Sequence, residues 1–466
     1  MGDGAPRLVP LAPAQRYYLP PPDATTLEPQ FNVSVVIRLT GPLDRAALGE
    51  TLRILVTRHE ALRTTFRRTA AGLAQVVRPP ADPPLTEADV RGRPQEYTRL
   101  LAELTARLFP LTEVPLRLLL ARTGTEEHRL VWVVHHALFD GWSMGVLLEE
   151  FLAHYRALTR GVPPSVEAAP SWSGFCARSA DAARRAGGAG RERAVEFWRG
   201  RVSGLEDVRL GQDLPGHPPQ RGAAVRDLLD TREAGALREL ARARRTSLFP
   251  LFLAAFSAVA HAGTGQSRFL LAASVATRAE RGTDRLIGCL VNRLPLPCDL
   301  SGDPSVRELI DRTSRMWWSC YGQGGVDPEV LARAVGADGA ADWAALTKVT
   351  RVVVVQESFS VVPPGEGPLQ AQVERTEPDI VEKDLVYHIT PWPTGEIETA
   401  LTYRTARYAP AAVAELADRL RWTLTAMAGD PDRPLSALTR FPEPGSRTGA
   451  PGTTAPSGSG TWGGAG

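Results

Sequence analysis

The chain has 466 residues, 43% of them apolar and 23% charged; that is longer than one hydrophobic core usually fills, and it predicts an ordinary globular protein of two or three packed units. A formal net charge of +2 excludes the basic footprint of a nucleic-acid binder. Four cysteines, Cys176, Cys289, Cys298 and Cys320, lie far apart with no CxxC spacing, which argues against a zinc or redox motif and fits a reducing cytoplasm.

The N-terminal "MGDGAPRLVPLAPAQRYYLPPP" lacks the charged start and continuous apolar stretch of a secretory signal. "LDRAALGETLRILVTRHEALRTTF" sets Leu48, Leu52, Leu55 and Val56 at helical spacing and then shortens its beat at Leu62 and Phe66, predicting a helix that runs into a strand. "HRLVWVV", residues 128 to 134, is the near-continuous β-branched and aromatic run of a strand covered on both faces. After Gly141, the residues Met144, Leu147, Leu148, Phe151, Leu152, Tyr155 and Leu158 repeat at helical intervals and predict an amphipathic helix of about four turns. Near 177 to 190, "ARSADAARRAGGAG" offers few large apolar side chains and is the expected lobe boundary.

The second half repeats the alternation. A helix is expected near 247 to 262, where the apolar run from Leu248 to Ala260 is too short to span a bilayer and reads as buried, so no membrane contact is expected. Strands follow at 268 to 275 and 349 to 358, then a hairpin of "DLVYHITPW" and "EIETALTYR" across "PTG", then a helix from about Ala411 to Met427 after Pro410. From Pro442 to Gly466 the chain is Gly, Pro, Ser and Thr and is expected to be a disordered tail.

Between the strand and helix of the first half lies "HHALFDGWS", which reads as a catalytic loop, a metal site or core filling. Successive strand residues point to opposite faces, so His135 and His136 cannot readily share a metal unless the strand has broken, and no metal site is expected. One imidazole should face a cleft and the other packed structure. Asp140 can hold the loop through an ion pair or backbone amides, and Gly141 permits a close approach.

These residues resemble the HHxxxDG signature of condensation domains from nonribosomal peptide synthetases. "RHEALRTTF" and "LAPAQRYYL" are similar to two further motifs of that family, and "SVATRAERGTDRLIGCLVNRLPL" is similar to its segment ending in IGxxVN. The resemblance covers about residues 1 to 440 and implies an α/β fold of two lobes, each like chloramphenicol acetyltransferase, set in a V-shaped pseudo-dimer around a central tunnel. The expected division is an N-terminal lobe over 1–177, a C-terminal lobe over 178–441 and the tail over 442–466.

The same resemblance implies that His136 is catalytic, that His135 is structural, and that Asp140 pairs with Arg278 to tie the lobes together. Asn292 and Gln356 are candidate tunnel-lining residues. His59 and His388 read as structural contacts. Departures are Thr277 in place of the family's glycine before the arginine, and "YGQGGVDPEVL" where a His-Gln and Pro-Phe-Glu motif is expected.

The implied reaction joins an aminoacyl or acyl thioester, held on the phosphopantetheine arm of a peptidyl or acyl carrier protein, to an amine or alcohol acceptor that is a small molecule or itself carrier-bound. The chain would bind no cofactor of its own. Lacking an adenylation or carrier motif, it is expected to be a free-standing cytoplasmic enzyme that meets its carrier in trans, resembling the enediyne-pathway condensation enzymes of antibiotic biosynthesis. An acyl-CoA-dependent acyltransferase of the same superfamily and a non-catalytic carrier-recruitment domain are the alternatives. Relatives of the latter kind typically lack the second histidine.

Overall fold

A computed structural model describes residues 7 to 441, apart from 21–22, 71, 165–168, 213, 215–219, 337–340, 358–367 and 375–379. The expected disordered tail, 442–466, lies outside the described residues.

The chain builds two lobes, each a mixed sheet with helices packed on it. In the first, the apolar run becomes the strand Glu127–His135, buried from Leu130 onward, and it sits centrally because both faces are covered. Asn32–Thr40 and Leu116–Arg122 flank it antiparallel, with Val35 opposite Trp132 and Leu118 opposite Trp132 from the other side. The helices Arg45–Arg58 and Gly141–Thr159 bury their predicted stripes, Leu48, Leu52 and Leu55 against Leu147, Phe151 and Tyr155, in one core.

The second lobe carries a six-stranded sheet in the order Gly222–Leu229, Ile397–Arg404, Leu385–Pro391, Val352–Gln356, Arg268–Ala276, Val291–Asp299. Its three middle strands, Leu385–Pro391, Val352–Gln356 and Arg268–Ala276, run parallel to one another. Alternation assigns the faces: Phe269, Leu271, Ala273, Val352, Val354, Leu385, Tyr387 and Ile389 all join the core under the helix Leu248–Thr264. That helix is buried from Phe249 to Ala260, as its all-round apolar sequence requires. Among the described residues no single helix is long and apolar enough to cross a membrane.

Three expectations gain detail. The lobe boundary expected at 177–190 is not a break in helical structure except at Gly187, where φ is +60° and two helices within Trp172–Val202 meet at a kink. Alanine and arginine sustain a helix whose exposed centre has nothing to bury, and its ends reach different cores: Trp172, Phe175 and Cys176 the first, Val195 and Trp198 the second. Nor is 178–441 a self-contained lobe. Gln370–Glu374 adds an edge strand to the first lobe's sheet beside Asn32–Thr40, and Leu286, Ile287, Cys289 and Leu290 pack into the first lobe's core. The strand foreseen at 349–358 begins later, at Val352, since Trp343–Val349 is a short helix capped by Asp342.

Candidate active site

The central strand ends at His135, and His136 opens a single 3-10 turn, His136–Leu138. The break in pleat frees the two rings from strict alternation and sends them to different environments. His135 is fully buried, with Phe31 edge-on to it and its Nδ1 near the Ala137 amide at 3.3 Å. Burial, followed by the neighbouring His136, pushes its pKa down to about 3, so it is a neutral structural ring.

His136 stays partly open. Its ring lies flat on Tyr18, centroids 4.0 Å apart and planes 9° from parallel. Nδ1 is buried without a hydrogen-bond partner, which leaves Nε2 as the ring's outer nitrogen. The turn is held from behind: Gln15, from the "LAPAQRYYL" segment, donates to the Ala137 carbonyl at 2.7 Å and to Gln75 Oε1 at 3.0 Å, and Gln75 Oε1 also accepts from Trp172 Nε1.

Arg293 also lies against Tyr18, its guanidinium 5.3 Å from the ring centroid. Both terminal nitrogens of Arg293 reach Glu382, which also takes Lys383 at 2.9 Å. Burial alone would raise the Glu382 carboxyl, but Arg293 and then Lys383 outweigh it and hold it at about 2; burial brings the Lys383 ammonium down to about 8. Two cations against one carboxylate leave this group with net positive charge beside His136.

Burial, then Arg293, holds the His136 pKa below the ordinary histidine value, with Asp140 and Glu382 pulling the other way. The ring is therefore expected to titrate below the ordinary histidine value of about 6.5 in an NMR titration. Arg293→Met, which removes a neighbouring cation, should move that midpoint upward; an unmoved midpoint would show that the arginine does not act on the ring. By the same sign, the folded state favours neutral His136, so its contribution to stability is present above the unfolded value and is lost as pH falls below it.

Asp140 and Arg278 meet as expected. Arg278 Nη2 lies 2.8 and 2.9 Å from the two carboxylate oxygens, and the side chains are 4% and 0% exposed. The remaining lone pairs are also used: Oδ1 accepts from Ser143 N and Oγ, capping the helix Gly141–Thr159, and Oδ2 accepts from Leu290 N. Arg278 Nη1 holds the carbonyls of Thr283 and Leu286. Gly288, between those carbonyls and Leu290, allows the chain to lie on Trp172; a Cβ there would sit 2.3 Å from the indole. Gly141 is a helical first residue, and a Cβ on it would meet Glu357 Oε2 at 3.5 Å, an ordinary contact.

Asn292 and Gln356 do not line the space between the lobes. Asn292 shares the helix-covered face with Leu294 and Leu296, where its Nδ2 donates to the carbonyls of Gly324 and Val326. Gln356 shares the face of Val352 and Val354. A strand reverses face at each residue, so their neighbours Arg293 and Glu357 are the ones turned toward the first lobe. His388 is also there: Nδ1 lies 2.8 Å from Glu357 Oε1. This pair was missed because its members are 31 positions apart and each alone reads as strand-edge decoration. His59 is structural, bound to Glu150 at 2.7 Å. Among the described residues no cluster of three or more His, Cys, Asp or Glu could hold a metal.

The condensation domain model matches residues 6–447. The chain is 29% identical over 437 residues to chondramide synthase of Chondromyces crocatus, covering 91% of this chain and 11% of that much longer protein. Among solved structures, the X-domain from teicoplanin biosynthesis matches with a TM-score of 0.79 at 25% identity, over 94% of this chain and 98% of that one. The first condensation domain of the CDA synthetase matches in fold with a TM-score of 0.73 at 20% identity, over 93% and 98%. With its motif loop, its lobe arrangement and a match over nearly its whole length, the chain belongs to the condensation domain family of nonribosomal peptide synthesis.

Proposed function

We propose that this protein is a free-standing condensation enzyme that joins an aminoacyl or acyl thioester, brought by a carrier protein in trans on its phosphopantetheine arm, to an amine or alcohol acceptor. The observation that carries this reading is His136: a neutral imidazole, partly open, stacked on Tyr18 and supported from behind by buried hydrogen bonds. The acceptor nitrogen or oxygen attacks the thioester carbon, the carbon–sulfur bond breaks, and the nucleophile's proton reaches the departing thiolate by way of His136 Nε2. Because burial and Arg293 disfavour the imidazolium, the ring serves as a neutral acceptor that passes its proton on. An amine with a pKa near 8 is already partly neutral at pH 7, whereas an alcohol loses its proton during attack and leans harder on this histidine. Holding both reactants against one site supplies the rest of the acceleration.

A second reading is recruitment of another protein to the carrier without catalysis, favoured by the 25% identity to a teicoplanin X-domain, a structure also solved as a complex with OxyB. Mass spectrometry of an aminoacyl-loaded carrier incubated with the chain and a panel of amines and alcohols separates the two. A new amide or ester with release of free carrier thiol is expected; carrier binding without any product would replace catalysis with recruitment.

A further inference from the structure

The second lobe's sheet turns one face toward the first lobe, and one row across it is unlike the rest. Register pairs His388 with Val355, and Ser274 with Arg293; continuing the Ala273–Val354 pairing by one residue sets Val355 beside Ser274. His388, Val355, Ser274 and Arg293 therefore form a single row over four strands, spanning roughly 14 Å at the backbone for three strand spacings. The neighbouring row, with Val353 and Ala272, is buried, while His388, Val355 and Ser274 keep partial exposure. This row lies on the face turned toward the first lobe, where Arg293 meets Tyr18 and Glu357 approaches Gly141. Arg293, Tyr18 and His136 stand at one end and the His388–Glu357 pair at the other.

The chemistry of that second end is legible. A carboxylate can only accept, so Nδ1 of His388 donates to Glu357 Oε1, and in the neutral ring Nε2 is left as an acceptor. Glu357 Oε2 faces the start of the helix at Gly141. The pair thus offers acceptors, one of them charged, and its side chains are 28% and 19% exposed. A lobe-locking pair would be closed, as Asp140 and Arg278 are. Partly exposed acceptors with a negative charge match a group that has several donors, no acceptor and a positive charge.

We propose that Glu357 and His388 form a binding site for a protonated amine carried by the acceptor substrate at a distance from its attacking atom, so that the pair selects which acceptors are condensed. This rests on the condensation reading above. It predicts that α,ω-diaminoalkanes are condensed in preference to monoaminoalkanes of the same length, by roughly 10-fold to 100-fold in kcat/KM, the value of a charge-assisted hydrogen bond. The preference should peak at one chain length, which measures the separation of the two ends of the row.

Glu357→Gln keeps the acceptor to His388 but removes the charge, and should collapse the diamine-to-monoamine ratio toward one. Both amines are read on the same variant, so any general loss cancels; His388→Gln serves if the first variant does not fold. A ratio unchanged in the variant, or ω-hydroxyamines favoured as strongly as diamines, overturns the proposal. Calorimetry of a diaminoalkane binding to the full chain and to Glu357→Gln, without carrier, tests the site apart from turnover: weaker binding to the variant supports it and equal binding refutes it. If no acceptor is condensed at all, the condensation reading fails, and the calorimetry still decides the site.

Discussion

His136→Ala is expected to lower turnover of a carrier-bound thioester by about 100-fold to 10,000-fold, the usual worth of a positioned proton acceptor, with a larger loss for alcohols than for amines. The replaced ring is partly open and contributes mainly a stacked contact with Tyr18, so the fold should survive. Circular dichroism and the affinity for the loaded carrier are the controls. Turnover that persists at its original rate, with carrier binding intact, would remove His136 from the chemistry and favour recruitment. His135→Ala should behave in the opposite way, since its ring is wholly inside and neutral: stability should fall first.

The largest loss of stability is expected from Asp140→Ala. It leaves the Arg278 guanidinium, 4% exposed, without its carboxylate, and breaking a buried pair by deleting one partner typically costs about 3–5 kcal/mol. The helix Gly141–Thr159 loses its cap at the same time, worth about 1 kcal/mol. Denaturant midpoints should therefore drop well before any effect on chemistry can be read. In the double variant with Arg278→Ala the losses should sum to less than the two single ones, because the second deletion removes the stranded charge. A midpoint for Asp140→Ala equal to that of the wild type would show that the pair does not hold the lobes.

Much of the site could be read along the chain because its parts are local. The histidines, Asp140 and Gly141 lie within one strand-turn-helix unit, and the periodicities on either side, near-continuous apolar before and helical after, mark where that unit bends. Arg278 was reachable through its motif. Asn292 and Gln356 missed by one residue each: a sequence shows that a polar side chain ends an apolar run but not which face of the sheet that position takes. At 177–190 a composition poor in large apolar residues marks solvated helix, which composition alone does not distinguish from a linker.

By itself, then, the sequence determined the strand-turn-helix unit that carries His136, through local periodicity, while the resemblance of its motifs to condensation domains implied the two-lobed α/β architecture and the pairing of Asp140 with Arg278. Only the tertiary structure decided that Arg293 meets Tyr18, that 286–290 and 370–374 cross into the other lobe, and that Glu357 meets His388. Those facts depend on strand order and register, which are set by how whole faces are buried against each other. No window of the chain contains that information.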